Sequence, residues 1–97
     1  MLKFEWDEEK NKLNQEKHKI AFEDAVDIFN DEDRIQYTSI KKGERRFLTV
    51  GKAFQALISV VYTSREFVIR IISARRSRKR ERKDYLVNKF NKNNDDQ

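Results

Sequence analysis

From Ala56 to Tyr62 the chain reads ALISVVY, apolar almost without interruption and rich in β-branched side chains. A run this short, apolar but for Ser59 and closed by turn signals, is a strand buried on both faces. It must sit inside a sheet, with neighbours on either side. The flanking segments supply them. From Arg34 the apolar period becomes two, with Ile35, Tyr37 and Ser39 alternating with Gln36, Thr38 and Ile40. Lys41-Lys42-Gly43-Glu44 reads as a turn. Arg46, Leu48 and Val50 then alternate with Phe47 and Thr49 up to Gly51, and a loop around Lys52 to Gln55 leads into the apolar strand. Thr63-Ser64-Arg65-Glu66 is a second tight turn, after which Phe67 to Ser73 returns. Four strands joined by short loops predict an antiparallel meander.

The segment before the meander is helical in pattern. Leu2, Phe4 and Trp6 alternate with Lys3 and Glu5, which predicts a short opening strand. Asp7 suits a helix N-cap, and Glu8 and Glu9 fall where the helix dipole favours acids. This helix should run to about Lys17. Leu13 is its one interior apolar residue, so it is expected on the surface, leaning on Trp6. Phe22, Ala25, Val26 and Phe29 stand at i, i+3, i+4 and i+7 and predict a second helix over about 22–29. Ala21 cannot cap it, at a cost of about 1 kcal/mol relative to Ser or Asp. A last helix is expected over about Arg76 to Phe90, with Tyr85, Leu86 and Phe90 returning to the sheet and 91–97 forming a polar tail. The expected fold is α+β: two N-terminal helices and a C-terminal helix on a four-stranded antiparallel sheet, in two layers, with a short N-terminal strand as an addition. It forms one domain over residues 1–90.

Charge is placed, not spread. Residues 1–33 carry 5 basic and 11 acidic side chains, residues 34–83 carry 15 and 3, and residues 84–97 sum to −1. Within the middle segment, Arg75, Arg76, Arg78, Lys79, Arg80, Arg82 and Lys83 with the single acid Glu81 give +6 in nine residues, against +5 for the whole chain. Such a concentration points to an anionic partner. With no cysteine and one histidine, neither a disulfide framework nor a zinc site is expected. No apolar run approaches the ~18 residues that span a bilayer, and the acidic N-terminus is unlike a signal segment. A cytoplasmic protein without membrane contact is the expectation.

Several motifs then fall in a recognisable order. Phe4-Glu5-Trp6-Asp7, Lys10, Asn14, Lys17-His18, Phe22, Ala25, Val26 and Phe29 resemble the N-terminal half of the BrnT family. Arg46-Phe47, Gly51, Val60 to Thr63, Arg65, Arg70 to Arg75, Glu81-Arg82 and Tyr85 resemble the rest of it. The likeness covers about residues 4–86. It implies a RelE-like ribonuclease fold, RNA cleavage that inhibits translation, and neutralisation by a BrnA-type antitoxin protein. That antitoxin would carry the contact to operator DNA. Two positions depart from the family's pattern: Lys19 stands where glycine is usual, and Ala21 where a capping residue is.

RNA cleavage without a metal needs a base for the 2′-hydroxyl, an acid for the departing 5′-oxygen, and fixed cations for the phosphate. Arginine suits the last role through its planar, permanently charged fork. Arg65, Arg70 and Arg75 lie at the ends or on one face of the last two strands, and Arg46 on the neighbouring hairpin joins them as a candidate. Lys17 and His18 are candidates by the family likeness, His18 because imidazoles carry protons near neutral pH. For Glu81 two roles stay open, a base held ionised by its cationic neighbours or a partner that steadies the helix. Arg76, Arg78, Lys79, Arg80, Arg82 and Lys83 form the expected RNA-docking surface, which grips backbone and reads no bases. No cofactor is implied. Two competing readings are a non-catalytic RNA- or ribosome-binding module and a subunit whose basic face serves an acidic protein.

Overall fold

The computed structural model describes residues 2–94. The chain runs β1 (Lys3–Trp6), α1 (Glu8–His18), α2 (Phe22–Ala25), a 3₁₀ turn (Val26–Asn30), β2 (Ile35–Lys41), β3 (Glu44–Ala53), β4 (Ala56–Arg65), β5 (Val68–Arg76) and α3 (Lys79–Asn94). The meander is present, but the sheet has five strands in the order β1-β5-β4-β3-β2. The fifth is the N-terminal strand, which pairs parallel to β5 with Phe4 opposite Ile69 and Trp6 opposite Ile71. The sheet is therefore mixed, not purely antiparallel. Partner choice of this kind is not written in the local period, because an alternating segment fits any free edge.

Cross-strand partners point to the same face of a sheet, so the registers sort the side chains. Phe4, Trp6, Phe47, Thr49, Gly51, Ile58, Val60, Tyr62, Ile69, Ile71 and Ala74 share one face. Phe22, Ala25 and Ile28 cover it, and together they form the core. Phe22 meets Trp6 edge-on at 6.0 Å between ring centres, and Phe29 meets Tyr62 at 5.2 Å. Gly51 is required by this packing: a Cβ there would lie 2.8 Å from the Ile28 Cβ. The other face carries Tyr37, Arg46, Leu48, Ser59, Val61, Arg70, Ser73 and Arg75. The first turn of α3 packs on it, with Glu81 against Ser59 and Asp84 against Tyr37. The arrangement thus has helices on both faces, which corrects the two-layer expectation.

Three local differences have physical causes. The second helix is α-helical for only four residues and then tightens to 3₁₀. Its fully buried positions, Phe22, Ala25 and Ile28, recur every three residues, which is the 3₁₀ period. Its missing cap is replaced from a distance, because the Asn11 side-chain oxygen accepts from the Phe22 N–H at 2.9 Å. Leu13 is 61% exposed, so α1 is not held by apolar contact. Asn11 and Asn14 are its buried residues. The Asn14 amide donates to the Ala74 carbonyl at 2.9 Å and accepts from the Ala74 N–H at 3.1 Å, completing the edge of β5 beyond the end of β1.

Lys19 closes α1 in the left-handed region, at φ 62° and ψ 28°. A side chain there costs about 1 kcal/mol or more, while glycine is at ease. Lys19→Gly should therefore stabilise the fold. Allowing for the extra freedom glycine gives the unfolded chain, a rise in Tm of roughly 2–6 °C is expected. An unchanged or lower Tm would show that the left-handed cap is not strained.

Beyond residue 73 the chain stays extended. β5 runs to Arg76, past the expected stop at Ser73-Ala74. Its register shifts between Val61 and Tyr62, which leaves Ile72 as an extra, bulged residue. α3 begins at Lys79 and continues to Asn94, past the expected end near residue 90. Residues 95–97 of the expected tail lie outside the described residues.

Candidate active site

Arg75 and Glu81 form the centre of the open face. Arg75 is on β5 and Glu81 in the first turn of α3. The two terminal guanidinium nitrogens of Arg75 donate to the two carboxylate oxygens of Glu81, both at 2.8 Å. Both side chains are largely buried. Glu81 also accepts from Ser59 Oγ at 2.9 Å and from the Arg78 N–H at 2.8 Å. The last bond is half of a capping box, in which the third helical residue reaches back to the cap. Glu81 thus caps the helix and holds the Arg75 guanidinium in one direction, a contact that neither of the two roles left open for it described.

These bonds, that with Arg75 first, hold the Glu81 carboxyl far below its ordinary 4.5, at about 2. It stays ionised under all physiological conditions and is a weak proton acceptor. A carboxyl depressed in the folded state stabilises the fold above its unfolded pKa and loses that contribution as pH falls towards its folded pKa. Glu81 should therefore make stability fall between about pH 4.5 and pH 2, by on the order of 2–3 kcal/mol. Urea unfolding across that window should show a flatter pH profile for Glu81→Gln than for the wild type. Parallel profiles would mean that the ion pair is not coupled to folding.

A groove of about 500 Å³ opens beside the pair, lined by residues that include Tyr37, Arg46, Leu48, Val61, Arg78, Arg80 and Glu81. Its floor is apolar and its rim is cationic. Arg46 Nε is buried and has no hydrogen-bond partner among the described residues. The nearest carboxylate oxygen, on Glu44, is 3.6 Å away, too far for a hydrogen bond. Tyr37 donates to Asp84 at 2.5 Å. Burial first, and then this bond, push its hydroxyl up to about 12. Tyr37 and Asp84 were not singled out in the sequence. Tyr37 looked like one more alternating strand residue, and its bond to Asp84 spans 47 positions.

The other expected site residues are distributed more widely. Arg70 and Arg65 share the open face but stand at its far end, roughly 13 and 20 Å along the strand direction from Arg75. They line a second groove with Glu5, Glu44 and Glu66, and Arg70 is paired with Glu5 at 2.7 Å. The count of three acids against fifteen bases missed such pairing, because Glu5 comes from outside residues 34–83. Arg76 is opposite Ile58 and so points to the other face from Arg75. Arg82 folds back to donate to the Ser77 carbonyl. Arg78, Lys79, Arg80 and Lys83 remain exposed around the start of α3. Lys17 and His18 end α1. His18 is half-buried and stands one turn beyond Asn14, on the helix face turned to the β5 edge at Ala74. Among the described residues neither Lys17 nor His18 bonds to the arginines.

No three His, Cys, Asp or Glu side chains among the described residues gather as a metal site would, and none of the described helices is long and apolar enough to cross a membrane. Comparison with curated proteins finds no match. The family model for the ribonuclease toxin BrnT of type II toxin–antitoxin systems matches residues 6–81. That span runs from Trp6, the last residue of β1, to the first turn of α3, and it includes Arg46, Arg75 and Glu81. The chain belongs to the BrnT family of type II toxin–antitoxin ribonuclease toxins.

Proposed function

We propose that this chain is a RelE-like endoribonuclease that cleaves RNA without a metal ion, inhibits translation in the cytoplasm, and is silenced by a BrnA-type antitoxin. The observation that carries this reading is the Arg75–Glu81 pair at the rim of a cationic groove. A guanidinium has five N–H donors. Glu81 takes two of those on Arg75 and the Arg76 carbonyl one, which leaves two for a phosphate. Their direction is fixed in advance, as stabilisation of a charged transition state requires.

In the proposed reaction the 2′-oxygen attacks phosphorus and the bond to the 5′-oxygen breaks. The proton of the 2′-hydroxyl goes to a base, and the 5′-oxygen takes up a proton as it leaves. Arg75 holds the phosphate as charge builds, and Arg46, on the lining of the groove that Glu81 also borders, holds the RNA chain next to it. Arg78, Lys79, Arg80 and Lys83 hold the adjoining backbone, and Arg65 and Arg70 extend the track along the sheet. Glu81 is a positioning residue, because its low basicity suits it to aim Arg75 rather than to accept the proton. His18, with Lys17 beside it, is the proposed proton carrier.

The test is incubation of purified, antitoxin-free protein with RNA in EDTA. Cleavage should persist and leave 2′,3′-cyclic phosphate and 5′-hydroxyl ends. Binding without cleavage would favour a non-catalytic RNA-binding module. Cleavage abolished by EDTA and restored by a divalent ion would overturn the metal-free mechanism.

A further inference from the structure

The second half of α3 is amphipathic the wrong way round. The sequence suggests that Tyr85, Leu86 and Phe90 return to the sheet. Tyr85 does so: it is buried, and its hydroxyl donates to Asp31 at 2.7 Å. Leu86 is 57% exposed, Val87 49% and Phe90 67%. At 100° per residue, Glu81, Tyr85, Asn88 and Lys92 form one stripe, and each bonds to the body. Asn88 donates to the Asp33 carbonyl, and Lys92 to the Glu32 carbonyl. The opposite stripe holds Lys79, Lys83, Leu86, Val87 and Phe90. The helix is thus tied down by polar contacts and offers its apolar residues to solvent. Leu86, Val87 and Phe90, with Lys89 and Asn93, line a shallow groove of about 470 Å³.

Three large apolar side chains on one exposed stripe mark an interaction surface, and the charges beside them decide the occupant. Lys79, Arg80 and Lys83 continue the stripe towards the N-terminus of the helix; the nearby acid Asp84 accepts from Tyr37 and stands 4.0 Å from Arg80 Nε, so the cations still outnumber it. A second copy of this chain would bring the same cations together. RNA would match the cations but leave the apolar residues uncovered. We infer that the outer stripe of α3 is the docking surface of the antitoxin, and that it takes an acidic segment carrying apolar side chains, which seat on Leu86, Val87 and Phe90. The inference rests on the proposed toxin–antitoxin function. It adds a mechanism: acids laid over Lys79, Arg80 and Lys83 occupy the groups that would hold RNA, so inhibition is by occlusion.

The test uses Leu86→Glu/Phe90→Glu, with Phe90→Leu as the conservative control. The antitoxin probe is the polypeptide encoded beside the toxin, expressed with it and purified away from it. Titration calorimetry should show the affinity of the double variant for this polypeptide reduced by at least about 30-fold, with Phe90→Leu close to the wild type. RNA cleavage by the isolated double variant should be unchanged, and growth arrest should persist when the antitoxin is co-expressed. Wild-type affinity should also fall steeply with salt. Unchanged affinity in the double variant would overturn the inference. So would a wild-type dimer, seen by sedimentation, that the substitutions dissociate without changing antitoxin affinity. A wild-type protein that neither cleaves RNA nor binds the polypeptide would instead remove the proposed function on which the inference stands.

Discussion

Replacing Arg75 by alanine is expected to lower the single-turnover rate of RNA cleavage by at least about 100-fold, the usual cost of losing one pre-aimed donor. It should also abolish growth arrest on expression. Alanine removes both free N–H groups and leaves Glu81 ionised without its main partner. Some loss of stability will accompany it, so the decisive comparison is Arg75→Lys. Lysine keeps the charge but not the fork. It should preserve most of the stability while still losing much of the activity. Glu81→Gln should behave differently, with a smaller loss of rate, because the arginine remains and only its aim is relaxed. An Arg75→Lys protein that is folded and cleaves within a few-fold of the wild type would remove Arg75 from the site.

Phe22→Ala is expected to be the most damaging single truncation in the core, at about 3–5 kcal/mol. That is a large part of the 5–15 kcal/mol typical of a whole domain. Phe22 is fully buried and meets Trp6 edge-on, and its own N–H is held by Asn11. Leu13→Ala, in the helix that precedes it, should cost less than about 0.5 kcal/mol. Urea midpoints of the two variants would check the contrast. Similar losses would mean that α1 is held by apolar contact, as its sequence suggests, and not by Asn11 and Asn14.

The helix α1 shows where pattern reading stops. Its amphipathic signal is weak because buried asparagines do the work of leucines. Each asparagine bonds backbone groups that a sequence window cannot see, in the case of Asn14 sixty positions away. The candidate site divides in the same way. That the arginines matter was legible from the charge imbalance of residues 34–83. Which arginine is aimed was not. Arg75 and Arg76 are adjacent in sequence, yet alternation and the register with β4 send them to opposite faces.

Legible without the structure were the order of the elements, the buried centre of the meander, the family, and a cationic segment in which bases far outnumber acids. These follow from period, composition and local motif, which act over a few residues. Tertiary structure alone decided that β1 joins β5, that Glu81 binds Arg75, and that the apolar residues of α3 face outward. Each of those depends on which surfaces meet. For α3 the polar bonds from Tyr85, Asn88 and Lys92 to the loop before β2 set the rotation of the helix. The exposed leucine, valine and phenylalanine are the consequence.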